Sequence, residues 1–129
     1  MKRILIIVGI IVVLFGLLVM SQKNTVLKTN QATQFSQIQK RLSSGDILLD
    51  VRTADEYKAG HIDGAINLSL QDIEAGALPN VTKSHEVYVY CHTGNRSAQA
   101  TAILEKAGYT VSDLGAISNV ALMGGTIVK

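Results

Sequence analysis

Apolar positions along this chain change their period several times, and each change marks an element. After Met1-Lys2-Arg3 comes the unbroken run ILIIVGIIVVLFGLLVM, Ile4 to Met20, without one charged or polar side chain. As a helix, its 17 residues span about 26 Å at 1.5 Å per residue. That is the short end of what crosses a hydrocarbon core of about 30 Å. Basic residues precede the run, which predicts a cytoplasmic N-terminus and a translocated remainder. Two expectations stand, an uncleaved single-pass anchor and a cleaved secretory signal. Length favours the anchor, because a signal's apolar region is about 7–15 residues long and ends at a small-residue site. Here only Val19-Met20-Ser21 resembles such a site. No cysteine follows the run, which excludes a lipoprotein. The expected location is therefore the cell membrane with the C-terminal domain outside the cytoplasm, or secretion after cleavage.

The next stretch, SQKNTVLKTNQA, is polar with two isolated apolar residues and reads as a linker. The expected division is an anchor or signal over residues 1–22, a linker over 23–32 and a folded domain over 33–129. Inside the domain, Phe35, Ile38, Gln39 and Leu42 fall at helical spacing, with Gly45 as a stop. Asp46 to Val51 is a short apolar run suited to a buried strand. Thr53 with Glu56 predicts a capping box opening a short helix that ends at Gly60. A turn and brief strand follow over Ile62 to Asn67, then a helical turn over Gln71 to Ala75 and a loop at Pro79-Asn80. Glu86 to Tyr90 is rich in β-branched and aromatic residues and predicts a second strong strand. Ala98, Ala102, Ile103 and Ala107 form an apolar stripe on a helix over Asn95 to Ala107, closed by Gly108. A strand at Tyr109 to Val111 and a helix over Ile117 to Met123 complete the pattern. Strands alternating with helices predict an α/β domain with a mainly parallel central sheet flanked by helices, preceded by one N-terminal hydrophobic helix.

Composition narrows the function classes. A length of 129 residues fits one domain plus a targeting segment. The net charge is +2 with scattered basic residues, so the clustered Lys/Arg face of a nucleic-acid binder is missing. A single cysteine forms no intrachain disulfide, and zinc-type Cys/His spacing, internal repeats and a Gly-rich phosphate loop are all absent from the sequence.

That cysteine is Cys91, in YVYCHTGNRSAQA between the second strong strand and the long helix. Ligands of parallel sheets bind at the carboxyl ends of strands, where Cys91 is expected. Cys91 to Asn95 must form the tight turn, and Gly94 permits a positive φ there. Such a loop points successive N–H groups inward as an anion nest, and the helix N-terminus adds its positive dipole end. A thiol in that field titrates below its usual value and is largely thiolate at neutral pH. Arg96 adds a fork of donors suited to an oxyanion. A nucleophile in an anion cradle suits attack on an anionic substrate or the holding of an anionic covalent intermediate. A buried structural cysteine is the plainer reading of any lone Cys. Cys91, Gly94, Arg96 and Ser97 in this order argue against it.

Two segments resemble the rhodanese family of sulfurtransferases, LLDVRTADEYKAGHIDGAINL over Leu48 to Leu68 and CHTGNRS over Cys91 to Ser97. The resemblance covers about Phe35 to Met123. It implies that the Cys91 thiolate takes the sulfane sulfur of a small anionic donor such as thiosulfate. The resulting persulfide then passes to a thiol or cyanide, with no metal or organic cofactor. It further implies that backbone N–H groups from His92 to Ser97 (His92, Thr93, Gly94, Asn95, Arg96 and Ser97) hold the persulfide. Arg96 would help to bind the donor, and His92 and Thr93 would tune donor choice. Related phosphatases and arsenate reductases have five residues between Cys and Arg, whereas here there are four. The tighter loop suits one sulfur atom better than a phosphoryl centre. Among the other matching positions, Asp50 and Arg52 are expected to support the crevice, with Arg52 paired to a carboxylate such as Glu56 and to loop carbonyls. His61 is expected to stabilise a turn, His85 to be solvated, and Tyr88 and Tyr90 to pack in the sheet. Many family members carry a Gly-Gly pair and then a tryptophan in the last helix. This chain has Leu114 to Val120 there and no tryptophan, which bears on donor specificity. The competing class is a non-enzymatic docking or sulfur-carrier module on the same scaffold. Thiol-redox chemistry is a weaker alternative, since no resolving cysteine is present.

Overall fold

The computed structural model describes residues 2–129, with side chains described for 6–19 and 34–129. Helix α1 runs from Lys2 to Ser43 without a break. Helical backbone therefore continues through 23–32, where polar composition predicts a linker; the side chains of those residues lie outside the described set. The stretch from Ser21 to Ser44 contains neither Gly nor Pro, so no residue interrupts the ladder. The apolar side chains from Ile6 to Leu18 are all exposed. Among the described residues no helix is long and apolar enough to cross a membrane. The described part of the apolar run, residues 6–19, is about 21 Å long as a helix, short of a bilayer core. Ile4, Leu5 and Met20 of that run lie outside the residues whose side chains are described.

The domain follows as β1 (Ile47–Asp50), α2 (Ala54–Ala59), β2 (His61–Ile62), β3 (Ala65–Asn67), α3 (Leu70–Glu74), β4 (Glu86–Cys91), α4 (Asn95–Lys106), β5 (Thr110–Ala116), α5 (Ile117–Leu122) and β6 (Ile127–Val128). The main sheet has the order β3-β1-β4-β5, and every pair in it is parallel. A two-stranded antiparallel ribbon joins β2 to β6. Strand β6 has no counterpart in the sequence expectations. Two residues carry too little periodicity to stand out, and their partner lies at His61-Ile62.

Side chains alternate across the sheet with the strand period of two. Leu49, Val51, Val87, Val89 and Cys91 pack on one face with Leu70, Ile73, Ala100 and Leu104 of α3 and α4. Leu48, Tyr88 and Tyr90 pack on the other with Phe35 of α1, Ile62 and Val120 of α5. Both faces are thus covered, which is why β1 and β4 read as continuous apolar runs. Strand β5 reaches Ala116, longer than the three residues expected, through a bulge. Val89 pairs with Asp113 and Tyr90 with Gly115, leaving Leu114 as the extra residue. This carries Gly115 and Ala116 up beside Cys91 at the carboxyl edge of the sheet.

Candidate active site

Cys91 is the last residue of β4 and is 0% exposed. The chain then turns through residues 92–94 into α4. Gly94 is the N-cap of α4 and has φ +97°, in the left-handed region that favours glycine. A side chain there is strained by that backbone, and its Cβ would lie 3.6 Å from the Cα of Gly115.

Capping explains how the sulfur is held. In α2 and α3 the N-cap side chain satisfies the third N–H of the helix: Glu56 N–H donates to Thr53 Oγ1 at 3.3 Å and Asp72 N–H to Ser69 Oγ at 3.2 Å. Thr53 and Glu56 complete the expected capping box. Gly94 offers α4 no such oxygen. The corresponding N–H belongs to Ser97 and acts on the sulfur of Cys91 instead. Gly94 N–H also donates to Cys91 Sγ at 3.0 Å. Burial pushes the thiol pKa up. The Ser97 N–H, the Ser97 hydroxyl and the N–H groups of Gly94 and Thr93 outweigh it, and the net shift is downward. The buried Ser97 hydroxyl has one proton, which in this geometry goes to the Gly94 carbonyl at 3.0 Å. It can rotate toward a thiolate when one forms. The sulfur thus occupies the position of a missing N-cap oxygen, as an anion at a helix N-terminus.

A pH prediction follows from the direction of that shift. A lowered pKa leaves a larger thiolate fraction at neutral pH, and the thiolate is the species that alkylates. The pH–rate curve for iodoacetamide capture should have its midpoint below the value of about 8.5 for a free cysteine. Because Cys91 is recessed, the midpoint and not the absolute rate is the readout. A midpoint at or above that of free cysteine would contradict the geometry.

The two arginines of the region are both engaged. Arg96 sends Nη1 to Glu56 Oε2 at 2.7 Å and Nη2 to Glu56 Oε1 at 2.8 Å, a bidentate pair across 40 positions of sequence. Glu56 Oε2 also accepts from Thr53 N–H and Thr53 Oγ1, both at 3.0 Å. The Arg96 guanidinium first, with the Thr53 donors behind it, holds the Glu56 carboxyl at about 2 against the cost of burial. Arg52, expected to pair with a carboxylate such as Glu56 and with loop carbonyls, takes buried Asp50 as that carboxylate. Its Nη2 lies 2.6 Å from Oδ2 and its Nε 3.0 Å from Oδ1, and Nη2 also donates to the Gly60 carbonyl at 2.7 Å. The reason is reach: Asp50 is two residues away on the same strand end, while α2 turns Glu56 toward the active loop.

Strand alternation places Asp50 on the Tyr90 face, opposite the face where Cys91 packs. Asp50 and Arg52 therefore support the strand ends and do not line the sulfur. The Arg52 guanidinium lies 5.8 Å from the Tyr90 ring centre, and the Tyr90 hydroxyl accepts from Ile62 N–H at 3.0 Å. Burial raises the Tyr90 pKa above its usual value. His61 stacks on Tyr57 at 3.7 Å and contacts the Tyr57 carbonyl through Nδ1 at 3.0 Å, as a turn-stabilising residue does. His85, expected in solvent, sits against Gly45 with Nδ1 3.3 Å from Asp46 Oδ1. His92, Thr93 and Asn95 are exposed at the mouth. Asp113 escapes the sequence reading, which reaches Gly115 only as part of Leu114 to Val120: the Asp113 carboxylate accepts from Gly115 N–H at 2.8 Å and shapes the loop wall. The bulge that brings them there has no local sequence signal.

A family model described as Rhodanese-like domain matches residues 34–120. The thiosulfate sulfurtransferase PspE of Escherichia coli is 38% identical over 78 residues, which cover 57% of this chain and 73% of that protein. A putative mitochondrial thiosulfate sulfurtransferase of Schizosaccharomyces pombe is 31% identical over 103 residues, covering 67% of this chain and 72% of that one. A putative sulfur carrier protein of Bacillus subtilis is 36% identical over 62 residues; the match spans 48% of this chain but only 33% of that protein. Among solved structures, a rhodanese from E. coli with anions superposes with a TM-score of 0.55 at 34% identity, covering 65% of this chain and 98% of its own. A rhodanese-like domain from Anabaena gives a TM-score of 0.59 at 31% identity, with coverage of 65% and 99%.

Proposed function

This chain belongs to the rhodanese-like domain family, and from that premise we propose that it is a sulfurtransferase working through a persulfide on Cys91. The observation that carries the reading is the sulfur itself, seated where α4 lacks an N-cap oxygen and stabilised by the Ser97, Gly94 and Thr93 N–H groups. The Cys91 thiolate attacks the outer sulfur of a donor such as thiosulfate. The donor S–S bond breaks, sulfite leaves with the electron pair, and Cys91 carries one extra sulfur. A thiol or cyanide then takes that sulfur and restores the thiolate. The cradle from His92 to Ser97 stabilises the negative charge at both stages. Relatives named as thiosulfate sulfurtransferases support this chemistry.

The test is turnover by the full-length protein. Thiosulfate and cyanide should yield thiocyanate, and intact mass after donor alone should show one added sulfur on Cys91. The relative named as a putative sulfur carrier favours a second reading, a carrier or docking module. Stoichiometric persulfide without turnover toward cyanide or small thiols would select that reading. No persulfide with any sulfane donor would reject both.

We further propose that the apolar run from Ile4 to Met20 anchors the chain in the cell membrane, with the domain outside the cytoplasm. In support, the side chains from Ile6 to Leu18 are exposed on every side of α1, an arrangement stable in lipid and costly in water. Membranes washed with alkaline carbonate should retain the full-length protein. Release into the wash would reject the anchor.

A further inference from the structure

The donor reading leaves open which sulfane donors the mouth of the site favours, and the charges around it decide this. Cys91 is stabilised by nearby dipoles, the Ser97 N–H and hydroxyl and the N–H groups of Gly94 and Thr93, and the Arg96 charge, shared with Glu56, also acts on it. Arg96 has both terminal nitrogens on Glu56, and Arg52 is committed to Asp50 and to the Gly60 carbonyl. Asp113 stands on the neighbouring wall with a negative charge. Lys58 follows Glu56 by two positions on α2 and so leaves that helix on another face. The exposed loop residues His92, Thr93 and Asn95 bring no fixed charge. Among the described residues, the mouth thus holds no guanidinium free of a carboxylate.

We propose that Glu56 sets the donor class. By clamping Arg96 it removes the uncompensated cation from the mouth, so the site takes sulfane sulfur from organic persulfides ahead of dianionic thiosulfate. The proposal rests on the sulfurtransferase reading. The step balances without an oxidant: the Cys91 thiolate attacks the terminal sulfur of R–S–SH, the new S–S bond forms as the donor S–S bond breaks, and RS⁻ leaves with the electron pair. The products are Cys91–S–SH and a monoanion, a smaller electrostatic demand than expelling sulfite as a dianion. Glu56 acts through Arg96 and is a positioning residue. Its two other hydrogen bonds, to Thr53 N–H and Oγ1, fix the carboxylate so that the clamp is held from behind.

The experiment compares thiosulfate with the persulfide of 2-mercaptoethanol on the full-length protein. It is run near pH 8. The wild type should show kcat/KM at least about tenfold higher for the organic persulfide. Glu56→Gln keeps a side chain able to cap α2 but frees the Arg96 charge. It should lower KM for thiosulfate about five- to tenfold, leave KM for the persulfide within about twofold, and leave kcat for either donor little changed. The thiosulfate gain should shrink as ionic strength rises from about 0.01 to 0.15 M. Adding Arg96→Met should cancel it. An unchanged or raised thiosulfate KM in folded Glu56→Gln, or a gain that survives Arg96→Met, overturns the proposal. If Glu56→Gln does not fold, Arg96→Gln decides. A thiosulfate KM that rises much more than the persulfide KM means that Arg96 already binds the dianion, and the proposal falls; equal changes support it. Absence of a Cys91 persulfide from both donors in the wild type rejects the sulfurtransferase reading instead, so the two failures are distinguishable.

Discussion

Cys91→Ser should reduce thiocyanate formation by roughly a thousandfold or more, to the assay background, while the protein stays folded. The hydroxyl stays protonated at neutral pH in spite of the dipoles that lower the thiol, so the nucleophile is lost. Serine also has no sulfur on which to build a persulfide. The rest of the site should survive, because Gly94 keeps its backbone conformation and the Ser97 hydroxyl keeps its bond to the Gly94 carbonyl. Turnover should be measured beside intact mass after donor alone, and beside a thermal melt. Loss of both turnover and the added sulfur, with a melt within a few degrees of wild type, identifies Cys91 as the carrier. Undiminished turnover in the variant would place the chemistry elsewhere and remove the central claim.

The largest loss of stability should come from Asp50→Ala. Asp50 is fully buried and accepts Arg52 N–H at 2.9 Å as well as the guanidinium. Removing it leaves Arg52, itself buried, without its carboxylate and with the Gly60 carbonyl as its remaining hydrogen-bond acceptor. Breaking one side of a buried pair in this way costs about 3–5 kcal/mol. For a domain of this size each kcal/mol moves the melting temperature by about 4–8 °C, so a fall of roughly 12–40 °C is expected. The Glu56–Arg96 pair gives the contrast. Its side chains are 34% and 29% exposed, and solvent screening limits such a pair to about 1 kcal/mol or less. Asp50→Leu with Arg52→Met should recover a substantial part of the loss, since an apolar pair of similar volume replaces the ion pair. A melt unchanged in Asp50→Ala would mean that Arg52 finds another partner, and would end its assignment as the strut under the strand ends.

These two residues also separate chemistry from support. Cys91 and Asp50 lie on neighbouring strands at the same edge of the sheet, but the alternation of side chains sends one toward α4 and the other toward Tyr90. Loss of Cys91 should remove the reaction and spare the fold. Loss of Asp50 should weaken the fold and leave the surviving folded molecules able to form persulfide.

What the sequence determined by itself is local. The continuous apolar runs of β1 and β4, the stripe of α4, the Thr53–Glu56 capping box and the Gly94 turn depend on residues within a few positions of one another, and each is legible in order. Cys91 stands out for the same reason: strand end, glycine turn and helix start are contiguous. The tertiary structure decided the partners of the charged groups. Arg52, Arg96, Asp50 and Glu56 are all visible as motif positions, but a guanidinium pairs with whichever carboxylate the fold brings within about 3 Å. That put Arg96 on Glu56, 40 positions away, and left Arg52 to Asp50. The bulge that raises Gly115 beside Gly94, and the ribbon between β2 and β6, also needed three dimensions, since each rests on a pairing between distant short segments. Backbone periodicity is set by neighbours in the chain, whereas electrostatic pairing is set by neighbours in space, and the charge at the mouth of this site belongs to the second kind.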